Sequence, residues 1–384
     1  MGKKISELNA GVIPYTGTEE LAMVDEGSTR RASLSSIVNY LSGATYTRCA
    51  GEAQDRPIAS PLKNNFFQKN QSIAGNLSAN GSLIVAAGAG ITVGTGSSIT
   101  GGCNNCANCT CSTVGGGCGN EALGENSFVG GGKSNCVTGN CGIVGGGAEN
   151  CVTATCGFVG GGNVNVASAL NSTIGGGREN CASGNNATVA GGNDNAASDV
   201  YAAVGGGYCN IASGHSSVIP GGWCSTASGD CSSVVGGFEN TAAGDYSVVG
   251  GRCNQATAAG DYAGVVAGGS NTASGLSAFV GAGCGNTASG NHGAAVVGGM
   301  TNTASGLSSF IGGGYCNTAS EKGSTLVGGY ANCSAGCGTF VGGGHNNQAR
   351  CNCSAIVGGC GNTSCGTYSV VVGGRNNSVQ SGCD

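Results

Sequence analysis

From Val114 to Val371 the chain repeats itself about every fifteen residues, and this period limits what it can fold into. Anchored on one aliphatic residue per repeat (Val114, Val129, Val144, and onward through Val204 and Ile311 to Val371), eighteen repeats follow one another. Most spacings are 15; between Val234 and Val296, with Val248 as one anchor, three of them are 14, 17 and 16. A glycine stands three residues after every anchor, as Gly117, Gly207 and Gly314 do. An asparagine stands six after, as Asn120, Asn210 and Asn317 do, with Ser225 the one exception. Eight after, thirteen repeats carry alanine. A unit this short cannot bury its own apolar face and must stack on copies of itself.

Each column has a physical reading. Anchor, asparagine and alanine lie an even number of residues apart, so two short strands point all three to one side. One Val and one Ala per turn suit a narrow interior. Glycine permits a turn with positive φ and the close approach of another backbone. Stacked asparagines can form a hydrogen-bonded ladder, and asparagine also tolerates the left-handed conformation of a corner. The expectation is an all-β chain: a parallel β-solenoid of about 15-residue coils over 112–384, preceded by a transitional or stalk region over 46–111. Eighteen coils at roughly 4.8 Å each give a rod on the order of 85 Å. The thin interior predicts side-by-side association of chains, with the glycine column as the natural place for it.

Composition removes the alternatives. The 80 glycines come with 4 prolines and no triplet period, which excludes collagen. A regularly placed hydrophobic fraction of 39% against 9% charged residues excludes a disordered chain. A net charge of -5 provides no basic footprint for nucleic acid, and no apolar run approaches the ~20 residues of a membrane span. Lys3 and Lys4 lead into Ile5–Ser6–Glu7, unlike a secretory signal.

Residues 1–45 differ in composition. Glu20–Val24 reads as a strand, Asp25–Gly27 as a turn and Ser28–Ala32 as a second strand. Ser33 is placed to cap a helix through Leu41, with Leu34, Ile37, Val38 and Leu41 on one face. In 46–111, Phe66–Phe67 and the run Ile73 to Val93 read as strands with tight turns, either a stalk or the first irregular coils.

Of the 24 cysteines, Cys103, Cys106, Cys109 and Cys111 contain half of a zinc signature without its second half. Others recur in one column of successive coils: Cys136 with Cys151, Cys209 with Cys224, and Cys141 with Cys156. Adjacent coils bring such pairs within disulfide range, whereas the bland reading is that cysteine fills small apolar positions. His215, His292 and His345 form no cluster, no G-K-[ST] follows the glycines, and no aspartate column marks a calcium repeat. Neither a catalytic set nor a cofactor or metal site is expected. Trp223, the single tryptophan, and the outward-looking Tyr246 and Tyr315 are the candidate receptor contacts, since exposed aromatics stack on sugars and anchor interfaces.

Two resemblances add to this reading. The stretch Asn240–Thr241–Ala242–Ala243–Gly244–Asp245–Tyr246–Ser247–Val248–Val249–Gly250–Gly251 is similar to the repeat of the β-roll heads of trimeric autotransporter adhesins, and the resemblance covers about residues 112–380. The segments Lys4–Ile5–Ser6–Glu7–Leu8, Thr16–Gly17–Thr18–Glu19–Glu20–Leu21 and Gly27–Ser28–Thr29–Arg30–Arg31–Ala32–Ser33–Leu34 resemble the N-terminal module of bacteriophage tail-fibre proteins. The resemblances imply a homotrimeric virion fibre, joined to a tail or baseplate protein through 1–45 and meeting a host-surface receptor, such as a glycan, through the solenoid. A purely structural virion decoration and an ice-binding solenoid are the alternatives.

Overall fold

A valine followed by a run of glycines can extend only briefly before the chain turns, and every strand of the repeat region is two residues long. In a computed structural model of the protein, residues 92–380 are described, together with the strands Lys3–Lys4, Glu20–Asp25, Ser28–Ser33 and Leu83–Ile84. The chain divides between Asn80 and Gly81 into two units.

In the first unit, Glu20–Asp25 and Ser28–Ser33 form an antiparallel hairpin in which Glu20 faces Ser33 and Asp25 faces Ser28. Lys3–Lys4, which the sequence pattern did not single out, adds a parallel strand through Lys3–Leu21 and Lys4–Ala22. Ser33 closes the second strand, and the helix expected after it lies outside the described residues, as does Phe66–Phe67.

The second unit is a parallel β-solenoid. Each coil contributes two strands, and each strand pairs with its counterpart one coil earlier and one coil later. Thr113–Val114 pairs with Phe128–Val129, and Glu121–Ala122 with Cys136–Val137. A third ladder of single bridges runs through the turn between them, as Cys118 to Lys133. The same ladders reach back through Ser98–Ile99 to Leu83–Ile84, and through Cys106–Ala107 to Thr92–Val93. The strands Leu83–Ile84, Thr92–Val93 and Ser98–Ile99 therefore belong to the same ladders, and the solenoid begins before residue 112.

The interior is one file of aliphatic side chains from the first sheet against a file, mostly alanine, from the second, with small residues such as Ser112, Ser127 and Ala187 buried two positions before each anchor. Val114, Val129, Ala122 and Ala212 are all 0% exposed. Asparagine fills the third inward position and is satisfied on every side. The Asn135 amide nitrogen Nδ2 donates to Gly131 O of its own coil, to Gly147 O of the next and to Asn120 Oδ1 of the previous one, while its backbone N–H donates to the same Asn120 Oδ1 at 3.0 Å. At Ser225 the ladder thins: the hydroxyl accepts from Asn240 N at 3.3 Å but supplies no amide group to the glycine carbonyls around it.

Two expectations are corrected. The backbone that the glycine column admits belongs to the next coil, not to a neighbouring chain. Gly207 has φ +93, and a Cβ there would penetrate the Gly222 carbonyl oxygen one coil on and crowd Asn210 Nδ2. Gly117 and Gly314 are placed alike. The anchor at Val248 shifts by one: Val249 is 0% exposed and pairs with Val234, whereas Val248 is 45% exposed and pairs with Ser233. The turn Gly250–Gly251 is one residue shorter than Val235–Gly236–Gly237, and a longer corner after Ala256 restores the register before Val265.

Candidate interaction surfaces

In a two-residue strand the partner of each buried residue points outward. On the first sheet that outward residue precedes the anchor, and the residue after the anchor lies beside it on the same face. The two positions trade bulk. Phe279, Phe310 and Phe340 are followed across their anchors by Gly281, Gly312 and Gly342, and the coils between them carry Ala295 with Val297, Thr325 with Val327 and Ala355 with Val357. Each phenylalanine ring lies over its own glycine, with Phe310 Cε1 3.6 Å from where a Gly312 Cβ would sit. The alternation starts at Val218 and Ser233, and Phe128, Ile143 and Phe158 extend the face toward the N-terminus. Phe310 is 38% exposed and Val327 50%, and neither column holds a charged residue between Ser98 and Val372.

The outer face of the second sheet is mixed up to Ile211, with Cys136, Cys151, Val166 and Ala196, and polar from Thr226 onward. Thr226 pairs with Thr241, and Thr272, Thr287, Thr303 and Thr318 pair in succession, with Gln255 interrupting the row. Serines two residues after these threonines, such as Ser289 and Ser305, widen the hydroxyl surface.

The aromatic residues stand at the edges. Trp223 and Tyr315 occupy the bridge position of their coils, whereas Tyr246 sits at the left-handed corner between coils with φ 57. All three are exposed, but the fold does not gather them into one site. Each belongs to a stack. Trp223 lies between Tyr208, 4.5 Å away, and Phe238, 6.3 Å away, with Arg252 over Phe238. Tyr315, Tyr330 and His345 form a second stack, and Tyr246 stacks on Tyr262 at 5.0 Å. Rings cover Trp223 on both sides and Tyr246 and Tyr315 on one side each, so the stacks offer ring edges and tyrosine hydroxyls to a partner. The rung spacing, close to the separation of stacked aromatics, makes such files favourable wherever one column repeats an aromatic residue.

No described cysteine is buried, which removes the bland reading of cysteine as a filler of small interior positions. Cys103 stands at a bridge, Cys106 on the second sheet, Cys109 in a turn and Cys111 at a left-handed corner, so the four thiols of the half zinc signature leave the coil at different positions. Among the described residues no three metal-binding side chains stand together. His215 meets Tyr201 edge-on at 5.9 Å, away from the other two histidines. Among the described residues no helix is long and apolar enough to cross a membrane.

The fold defines a class, the parallel β-solenoid, here with an uncharged outer face on the first sheet and a threonine row on the second from Thr226. The chain matches no known protein family, and no curated protein matches it significantly.

The sequence reading missed the apolar face because it followed one column at a time. Its signal is the exchange between a phenylalanine ahead of three glycines and a small residue ahead of Val-Gly-Gly, visible only when alternate coils are compared.

Proposed function

We propose that this protein is a non-enzymatic tail-fibre subunit of a bacteriophage virion. Residues 1–45 join it to a tail or baseplate protein, and the solenoid forms the shaft and contact surface that meets the host cell. Copies associate laterally through the apolar face; three copies is the number the resemblances imply. The stacked aromatic edges around Trp223, Tyr246 and Tyr315 are the surfaces offered to a host receptor such as a glycan.

The observation that carries this reading is the length of the uncharged apolar face. Two columns wide and about 80 Å long at 4.8 Å per rung, it carries no charge, its phenylalanines, isoleucine and valines standing among glycines, alanines and the hydroxyls of Thr173, Thr188, Ser233 and Thr325. Exposed apolar side chains along so long an uncharged strip favour an interface over a free monomer surface. Another solenoid is the partner that matches both the length and the rung period. The two-coil alternation of Phe–Gly with small–Val adds register: sliding one copy by a single coil sets bulk against bulk, and sliding by two restores the match.

Deleting residues 1–45 abolishes incorporation into virions while the solenoid keeps its β spectrum; continued incorporation would remove the attachment role. In a binding assay the full fibre retains cells of the host strain. Absence of retention, with incorporation intact, would leave a structural decoration without a receptor.

A further inference from the structure

Cysteine in proteins is usually one of the most buried residues, so a chain that turns every described cysteine outward keeps its thiols available for chemistry. Several are doubled in one column of consecutive coils. Cys103 and Cys118 are partners in the bridge ladder, and their sulfurs are 2.6 Å apart. Cys136 and Cys151 are register partners on the outer face of the second sheet, close enough for each thiol to act on the other's proton. Cys209 and Cys224 occupy the left-handed corner after the bridge in successive coils, and Cys209 likewise raises Cys224, after burial. Cys141 and Cys156 also share a column, at the other left-handed corner, but the structure gives them no thiol–thiol contact.

Cys103–Cys118 and Cys136–Cys151 tie coils that have neighbours on both sides. Cys209–Cys224 lies beside Asn210 and Ser225, the step at which serine replaces the asparagine: Ser225 N still donates to Asn210 Oδ1, but no side-chain amide follows.

We propose that Cys103–Cys118, Cys136–Cys151 and Cys209–Cys224 are rung-to-rung dithiol sites that a small-molecule disulfide oxidises to intrachain disulfides, stapling adjacent coils. In the first step one thiolate attacks the external disulfide, forming a mixed disulfide and releasing one small thiolate. The partner thiol, losing its proton to solvent, then attacks the protein sulfur of the mixed disulfide and releases the second thiolate. Two protein thiols are oxidised and one external disulfide is reduced to two thiols. This inference does not rest on the fibre reading.

The middle pair also indicates which sulfur attacks first. The neighbouring Cys136 thiol lowers Cys151, and Cys151 in turn raises Cys136. Glu121, one coil earlier and 3.8 Å from Cys136 Sγ, further disfavours a thiolate at Cys136. On the other side Cys151 faces the apolar Val166. Cys151 is therefore the nucleophile near neutral pH, and Cys136 resolves the mixed disulfide.

The test uses the full-length protein, reduced, incubated with oxidised glutathione, then blocked with N-ethylmaleimide and mapped by mass spectrometry of its peptides. The expected result is that the three contacting pairs each lose two hydrogens and carry neither glutathione nor maleimide, while Cys141 and Cys156 are modified singly. Cys118→Ser should leave Cys103 as a stable glutathione adduct. Cys136→Ala should raise the half-maximal pH for alkylating Cys151 toward the ordinary thiol range of about 8.5. Glutathione on both members of each pair, thiols that stay reduced, or closure of Cys141–Cys156 as fast as the others would overturn the proposal.

Discussion

Replacing Asn317 by alanine tests whether the asparagine ladder, rather than the aliphatic file, holds neighbouring coils together. The side chain is buried and makes four hydrogen bonds. Nδ2 donates to Asn302 Oδ1 at 3.1 Å, to Gly313 O at 3.0 Å and to Gly329 O at 2.9 Å, and Oδ1 accepts from Asn332 N at 3.0 Å. Gly329 O keeps a second donor, Tyr315 N, but Asn332 N–H loses its partner in the interior. With the three Nδ2 bonds at about 1 kcal/mol each and the stranded Asn332 donor at about 1–3 kcal/mol, the cost is roughly 4–6 kcal/mol. Because each coil touches only its neighbours, the loss stays local and uncouples the rod at that step. Hydrogen exchange read by mass spectrometry should show amides of the coils around Phe310 to Val341 exchanging roughly a thousandfold faster, the equivalent of about 4 kcal/mol of local opening, with the coils around Val129 to Val159 unchanged. Thr318→Ala, one residue on and facing outward, is the control. Unaltered protection at Asn332, or a uniform loss along the whole rod, would refute the argument.

Ser225→Asn should have the opposite effect, raising local stability by about 1–2 kcal/mol by restoring amide donors to the glycine carbonyls of that step, measured as slower exchange between Pro220 and Val234; faster exchange would mean the coil at Trp223 has settled into a geometry that excludes asparagine. Gly207→Ala forces a side chain onto φ +93 and into the Gly222 carbonyl, so its cost should exceed the roughly 1 kcal/mol of glycine propensity, and an unchanged melting curve would contradict the close approach. Phe310→Asp combined with Phe340→Asp removes apolar burial of about 1.5–3 kcal/mol per ring and adds charge to the uncharged face, so light scattering should show the assembled mass falling toward the monomer while the β spectrum persists; an unchanged mass would place the interface elsewhere.

By itself the sequence determined the coil. The recurrence of Val114, Asn120 and Ala122 in coil after coil marked all three as inward, because Asn120 and Ala122 flank one outward residue of a strand and the aliphatic anchor returns once per coil. The hairpin around Asp25 and Ser28 was equally legible, since its strands pair locally. What the sequence could not decide was adjacency between coils. Whether Val248 or Val249 fills the core depends on a one-residue deletion in the turn at Gly250 and a compensating insertion before Val265, and only stacking on Val234 identifies the inward residue. Positive φ at Gly207 was foreseeable, but stacking decided that the backbone it admits is the next coil's. The exchange of bulk between Phe310 and Val327, the sulfur contact of Cys103 with Cys118 and the covering of Trp223 by Tyr208 and Phe238 arise between residues about one coil apart. The period states that such residues are neighbours; the packed rod decides which of them point outward together, because that depends on the turn geometry of each coil.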